Sequence, residues 1–361
     1  MRRRLALAEP QPRRLRGLSA STAAINLRHT RLGGLQSLRA IAALAVCVQH
    51  AIYYACVALG LDYMHYLRIG MGGVGVNLFF VISGFVMAGC LYQGRRFLWN
   101  RIERIYPGYW LAVAASALLL MAPEHGWKLD LPSLLLMPAS LNNTYHIPYW
   151  TLAYEMGFYV LVAALIASRC THQAMSRLCV VWLLAIAVVS RYTEIPIAEP
   201  GFWLWLAPHN VFFITGFLLG LHYRHLERLP SLPLGLVAVV CCTFGEILYL
   251  VSPAGAFMLY GPGLACVLIL GVRHLRLGWL ERVGDASYGI YLLHAPVMVL
   301  SIPVLQGLLP NVSFYPLMLT CLLIAVLAST LFGLVEFRMH RRIKSLTRAR
   351  RPAQAGAGLP R

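Results

Sequence analysis

Long apolar segments separated by short polar connections dominate this chain. About 20 apolar residues cross a bilayer core as a helix, and lipid offers the backbone no hydrogen-bond partners. Ten segments fit that pattern, although the fifth is short. They lie near residues 36–57, 72–92, 106–122, 149–168, 178–190, 202–221, 232–251, 255–272, 286–306 and 313–335. The pattern predicts an all-α polytopic membrane protein with about ten transmembrane helices.

The composition agrees with a membrane protein. Of the 361 residues, 59% are hydrophobic and 12% are charged, whereas a soluble domain carries about 25% charged residues. The formal net charge of +18 would suit a nucleic-acid partner, but the basic residues lie in short runs between the apolar segments. That arrangement is typical of membrane topology, so we expect contact with membrane lipids and no nucleic acid.

The positions of the basic residues predict the topology. Of the 31 lysines and arginines, only Arg68, Lys128 and Arg191 lie in the connections that follow odd-numbered spans. The positive-inside rule therefore places both termini in the cytoplasm. The predicted domains are a basic cytoplasmic tail over 1–34, a membrane domain over 35–344 and a second basic cytoplasmic tail over 345–361.

The longest connection, about residues 123–148, faces outward in this topology. It contains Trp127, Asn142, Asn143 and Tyr145. Aromatic and amide side chains suit sugar recognition, and they equally suit an aromatic belt at the membrane interface. The residues alone leave both interpretations open.

The first span contains an unusual pair of polar residues. Arg39 and His50 lie near the two ends of the apolar stretch 38–50. Eleven helical steps bring them within about 20° of one face, with a rise of about 16 Å, roughly half of a bilayer core. A histidine at that depth is costly and is a functional hypothesis by default.

Other spans carry further polar residues. Glu155 lies about two turns inside the fourth span, where a carboxylate needs a partner, and His50 is the candidate. Ser287, Tyr291 and His294 recur at helical spacing in the ninth span and are expected to share a face. Each of these residues also suits a purely structural hydrogen bond.

A basic run precedes the third span. Arg101 and Arg104 are three residues apart and share a helix face. Two guanidinium groups suit a phosphate clamp, although positive-inside anchoring explains the same run. The nine cysteines show no spacing typical of a metal site or a disulfide framework, and we expect no metal.

Five segments together resemble the acyltransferase-3 family of integral membrane acyltransferases, over about residues 35–344. They are the Arg39–His50 spacing, GGVGVNLFFVISGF at 72–85, RIERIYP at 101–107, WTLAYEMGFY at 150–159 and GDASYGIYLLHAP at 284–296. Asn77 replaces an aspartate common in the family, and Thr151 replaces a serine. The chain resembles the stand-alone type that has no C-terminal esterase-like domain.

The resemblance implies O-acyl transfer, usually of acetyl, from cytoplasmic acetyl-CoA as co-substrate to a carbohydrate hydroxyl. The carbohydrate is a surface polysaccharide or its lipid-linked precursor, and the location is a bacterial inner membrane. His50, Glu155 and Arg39 are the expected catalytic residues, with Glu155 orienting His50. Arg101, Arg104 and Arg39 would bind the CoA phosphates. The candidates for substrate contacts or an oxyanion donor are Ser287, Tyr291, His294 and Asn77.

Other functions fit some of the same residues. Histidine and glutamate inside a membrane also serve proton relays, so a proton-coupled transporter or flippase is the alternative from another class. An inactive sensor is a third hypothesis, and the intact Arg39–His50 pair disfavours it. Within the family, some relatives transfer succinyl groups or modify small molecules such as macrolides.

Overall fold

The computed structural model describes residues 15–67, 70–122, 126–138, 145–195 and 201–349. Within these ranges every regular element is helical. The α-helices are α1 (Leu15–Leu59), α2 (Tyr63–Tyr66), α3 (Met71–Ala88), α4 (Phe97–Leu120), α5 (Leu131–Leu134), α6 (Trp150–Ala167), α7 (His172–Tyr192), α8 (Asn210–Leu226), α9 (Ser231–Tyr249), α10 (Pro253–His274), α11 (Gly278–Leu308) and α12 (Phe314–Ala349). Short 3₁₀ segments cover Leu91–Arg96 and Gly201–Leu206.

Eight helices in the described part of the chain are long and apolar enough to cross a membrane. They are α1, α3, α6, α7, α9, α10, α11 and α12, and they confirm an all-α polytopic membrane protein. The third and sixth predicted spans correspond to α4 and α8. The first turns of α4 carry Arg101, Glu103 and Arg104, and α8 has only 17 residues. A total of ten spans therefore stays a prediction.

The ends of two helices differ from the prediction. Helix α1 begins at Leu15, so helical structure extends into the predicted N-terminal tail. Residues 1–14 and 350–361, which make up much of the two tails, lie outside the described part of the chain. At its other end the chain continues as α12 to Ala349, well past the predicted limit of the tenth span.

The sixth span begins later than its apolar pattern suggested. The prediction started it at 202, whereas α8 starts at Asn210. The Asn210 amide donates hydrogen bonds to the carbonyl oxygens of Leu204 (2.7 Å) and Ala207 (3.2 Å). These bonds occupy one carbonyl of the preceding 3₁₀ segment and that of the residue just after it, and the segment cannot continue smoothly into the helix through Pro208.

Two glycines allow helices to pack closely against α1. A Cβ atom on Gly284 of α11 would lie 2.0 Å from the carbonyl oxygen of Gln36, and one on Gly75 of α3 would lie 2.6 Å from that of Ala42. No other residue fits at such distances. The Gly72 amide, in the first turn of α3, donates to Gln49 Oε1 at 2.6 Å and so ties α3 to the residue preceding His50.

The long connection predicted to face outward folds against α4. Tyr145 is fully buried, its carbonyl oxygen accepts a hydrogen bond from Ser116 (2.5 Å), and its ring lies 5.4 Å from that of Trp127. Burial raises the pKa of the Tyr145 phenol. These side chains therefore serve packing, while Asn142 and Asn143 lie outside the described residues.

Candidate functional site

Two adjoining cavities lie at the end of the helix bundle where α1 enters it, here called the N-terminal face. The outer cavity, called the vestibule, has a volume of about 1100 Å³, and α1, α4, α11 and α12 form its walls. The inner cavity has a volume of about 140 Å³ and lies between α1, α3, α4, α6 and α11. Arg39, Arg101 and Arg104 line both cavities and mark their junction.

The vestibule is strongly basic. Its cationic lining residues are Arg39, Arg96, Arg101, Arg104, Arg341 and Lys344. Its two carboxylates have hydrogen-bond donors nearby, since Asp285 accepts from Gln36 (2.7 Å) and Glu103 accepts from Trp99 (2.6 Å). The excess of positive charge makes this cavity suited to a ligand with several phosphates.

The arginines at the junction differ in their pairing. Arg104 forms a 2.6 Å ion pair with the fully buried Glu336 of α12. The Arg104 guanidinium also lies 4.8 Å from the centre of the Tyr288 ring. Arg101 donates to the sulfur of Cys90 at 3.0 Å. Arg39 has no ion-pair partner within 4 Å among the described residues. The positive charges of Arg101 and Arg39 are thus less compensated by ion pairing within the protein than that of Arg104, and they are more available to a ligand.

Glu155 lies in the inner cavity and does not contact His50. Its Oε1 atom accepts hydrogen bonds from Ser83 (2.5 Å) and from the Tyr159 hydroxyl. The predicted pairing with His50 is therefore wrong. The reason is local, because Tyr159 lies four residues after Glu155 on the same face of α6 and Ser83 faces it from α3.

Two candidates for the oxyanion donor also line the inner cavity, and their hydroxyl groups differ in hydrogen bonding. The Ser287 hydroxyl is fully buried and has no hydrogen-bond partner among the described residues. The Tyr291 hydroxyl donates to the carbonyl oxygen of Pro148 (3.1 Å) and accepts from Thr151 (2.9 Å). Ser287 is free to donate to a ligand, whereas Tyr291 would first have to leave Pro148.

His50 and His294 form a contact pair between α1 and α11. Their ring centroids are 5.0 Å apart, and His294 Nε2 lies 3.3 Å from His50 Nδ1. His50 Nδ1 also lies 3.0 Å from the Val46 carbonyl oxygen, and His294 Nδ1 lies 3.1 Å from that of Ile290. His294 is fully buried, whereas His50 is partly exposed.

The histidine pair lies beside the inner cavity rather than in its wall. His50 and His294 line neither of the two cavities. The Tyr291 ring lies between the cavity residue Phe79 and His294. Its centroid is 5.8 Å from that of Phe79 and 6.0 Å from that of His294. Tyr291 is therefore a cavity residue that also adjoins the pair.

The remaining candidate, Asn77, lies away from both cavities. It is buried and falls on the face of α3 that carries Val81 and Gly84, by helical spacing. That face packs against α8, where a Cβ on Gly84 would lie 2.1 Å from the Phe213 carbonyl oxygen. The structure therefore does not bring Asn77 together with the other candidates.

Another buried histidine lies elsewhere in the bundle. His209 precedes α8, and four aromatic rings, those of Phe80, Trp150, Tyr154 and Phe257, surround it with centroids 5.0–6.4 Å away. Its Nδ1 atom has no hydrogen-bond partner in the described structure. Within the described residues, no three His, Cys, Asp or Glu side chains cluster closely enough to hold a metal ion.

Sequence reasoning missed the contribution of α12. Glu336 is a single carboxylate in the apolar segment FGLVEF, and the rule that a buried charge needs a partner would have found it. The vestibule residues of α12 follow the spacing i, i+3, i+4, i+7, i+8, which is one helix face. They are Phe337, His340, Arg341, Lys344 and Ser345.

One protein-family model matches the chain. The model of an acyltransferase domain matches residues 32–333, which is most of the chain. No solved structure gives a significant match.

Three curated proteins are similar to the chain. The exopolysaccharide production protein ExoZ of Rhizobium meliloti is 31% identical over 312 residues, covering 80% of this chain and 94% of ExoZ. YrhL of Bacillus subtilis, provisionally named a peptidoglycan O-acetyltransferase, is 26% identical over 85% of this chain, which spans 55% of YrhL. The acyltransferase MdmB of Streptomyces mycarofaciens is 26% identical over 75% of this chain and 80% of its own length.

Proposed function

Because the chain belongs to the acyltransferase-3 family of membrane proteins, we propose that it transfers an acetyl group from acetyl-CoA to a carbohydrate hydroxyl. The observation that carries this proposal is the basic vestibule, which adjoins the inner cavity at Arg39, Arg101 and Arg104. The names of ExoZ and YrhL favour a surface polysaccharide, or its lipid-linked precursor, as the substrate.

The acyl donor, acetyl-CoA, binds across the two cavities in one orientation. The phosphates of acetyl-CoA bind in the vestibule, where Arg101 and Arg39 are not ion-paired, and the uncharged pantetheine arm enters the inner cavity. Glu155 accepts from the amide groups of that arm, and Ser287 donates to the thioester oxygen. The acyl group then approaches the histidine pair beside Tyr291.

His50 carries the chemistry in this proposal. As general base, its Nε2 takes the proton of the carbohydrate hydroxyl while that oxygen attacks the thioester carbonyl carbon. The carbon–sulfur bond breaks, and the CoA thiolate takes the proton from His50. As an acyl relay, Nε2 itself attacks the thioester carbonyl carbon, the carbon–sulfur bond breaks and CoA leaves as its thiolate. The carbohydrate oxygen then attacks the acyl carbon, the carbon–nitrogen bond to the ring breaks, and the hydroxyl proton passes to the thiolate. Both routes need an unprotonated Nε2.

The location follows from the same direction of binding. Acyl-CoA is a cytoplasmic metabolite, so the vestibule faces the cytoplasm, as the distribution of lysine and arginine predicts. The protein is then a multi-pass component of a bacterial inner membrane.

The test uses purified protein in liposomes with acetyl-CoA labelled in the acetyl group, and it measures CoA release and transfer of label to a crude polysaccharide. Wild-type protein should release CoA, and His50→Ala should lose all transfer while its thermal unfolding stays normal. The matched control is His225→Ala, because His225 is exposed and lines neither cavity.

The result also separates the alternatives. Full activity in His50→Ala would contradict both routes, and label trapped on wild-type protein would favour the relay. A wild-type protein that neither binds nor turns over acetyl-CoA or succinyl-CoA, yet moves substrate along a proton gradient, would establish the transporter instead.

A further inference from the structure

The hydrogen-bond partners of the two histidines determine their tautomers. A carbonyl oxygen only accepts hydrogen bonds, so the nitrogen facing it carries the hydrogen. His294 Nδ1 faces the Ile290 carbonyl (3.1 Å) and His50 Nδ1 faces the Val46 carbonyl (3.0 Å). In the neutral form, each ring is therefore protonated on Nδ1 and has its lone pair on Nε2.

This assignment gives the contact between the rings a direction. His294 Nε2 lies 3.3 Å from His50 Nδ1, and its lone pair accepts the hydrogen bond from Nδ1–H. The Val46 carbonyl oxygen accepts from the same hydrogen. No described residue makes a hydrogen bond to Nε2 of His50. His50 therefore presents a free basic nitrogen on the side of the ring away from His294.

We infer that His294 is the positioning residue of His50, an inference that rests on the proposed function. It holds the His50 ring with Nε2 directed at the reacting groups. It also accepts from Nδ1–H when Nε2 becomes protonated or acylated and the ring becomes positively charged. A carboxylate has this role in a serine-protease triad. Here Glu155, the carboxylate expected in that role, is bonded to Ser83 and Tyr159 instead.

The surroundings of the pair explain why a neutral acceptor suits this position. His294 is fully buried, and the cluster around this part of α1 and α11 is apolar, with Ala43, Cys47, Leu293 and Met298 among its members. A carboxylate would be a buried charge without a permanent partner there, which is costly. An imidazole accepts the same hydrogen bond without that cost.

Two substitutions separate positioning from packing. In His294→Gln the side-chain oxygen still accepts from His50 Nδ1–H, whereas in His294→Leu no acceptor remains. We expect His294→Leu to lower kcat by about 10²-fold, the lower end for acid–base contributions, with KM for acetyl-CoA unchanged. His294→Gln should recover most of that loss. His209→Leu is the matched control, because His209 is also buried in the bundle and has no contact with His50.

A second measurement does not depend on turnover. Diethylpyrocarbonate modifies unprotonated histidine nitrogens, and peptide mass spectrometry reports the extent of modification at His50. Modification of His50 should slow in His294→Leu and stay near wild type in His294→Gln, with tryptophan fluorescence confirming the fold of each variant.

Two outcomes would overturn the inference. Equal modification of His50 in wild type and both variants would do so, and so would equal loss of kcat in the Gln and Leu variants. Failure of wild-type protein to release CoA would instead overturn the proposed function, and the modification experiment would still decide the role of His294.

Discussion

His50 and His294 are held by carbonyl oxygens four residues earlier on their own helices, whereas Arg104 is held by Glu336, 232 residues away. The histidine rings are thus oriented by local backbone, with one contact between helices. The vestibule needs residues from both ends of the chain. In this membrane protein the histidine pair lies in an apolar cluster, whereas the arginines gather at the N-terminal face around the vestibule.

The largest expected effect concerns the charged end. Glu336→Ala removes the partner of Arg104 and leaves a poorly compensated guanidinium against Tyr288, so we expect a loss of about 3 to 5 kcal/mol in unfolding free energy. Thermal and denaturant unfolding in detergent measure it. The double variant Arg104→Met with Glu336→Leu should recover most of the stability. If Glu336→Ala were as stable as wild type, the ion pair would have no structural role.

The next effect tests the neutral end. Ser287→Ala should lower kcat by about 10²-fold if Ser287 donates to the developing oxyanion, because a lost donor of this kind has that effect. Stability should stay unchanged, since no described residue makes a hydrogen bond to the Ser287 hydroxyl. Ser301→Ala on the same helix is the control, because Ser301 lines neither cavity. Unchanged turnover in Ser287→Ala would remove Ser287 from the mechanism.

A smaller effect is expected for donor binding. Arg101→Ala should raise KM for acetyl-CoA about tenfold, the loss of one charge-assisted contact of about 1.4 kcal/mol, with little change in kcat. Its neighbour Arg95 is exposed and lines neither cavity, so Arg95→Ala should behave as wild type. A fall in kcat with constant KM would place Arg101 in the chemistry and break the division between the two ends.

The smallest effect concerns the α12 wall. Arg341 is exposed, and an exposed ion pair contributes up to about 1 kcal/mol, so Arg341→Ala should raise KM about fivefold at most. The effect should disappear at high salt, which screens exposed charges. Arg342→Ala tests the opposite face of the same helix, since Arg342 does not line the vestibule. Equal effects of both variants would show a general charge effect rather than a binding wall.

The patterns in the sequence predicted where helices form better than they predicted helix starts and side-chain partners. Apolar length located all eight described helices that are long and apolar enough to cross a membrane, because a helix in lipid is determined by its own residues. The start of α8 was misplaced, since hydropathy does not register the Asn210 hydrogen bonds that separate it from the 3₁₀ segment. Polar residues inside spans located His50, His294 and Glu155, but the same rule was not applied to Glu336 in the apolar segment FGLVEF.

The sequence by itself determined the membrane class, the basic N-terminal face and the placing of Arg39 and His50 on one helix face. Those features depend on composition and on spacings within one helix. Only the tertiary structure decided that His294 faces His50 and that Glu155 bonds to Ser83 and Tyr159. The physical reason is that helix partners are set by close approaches such as Gly284 against Gln36, and no pattern within a single helix specifies which other helix will lie there.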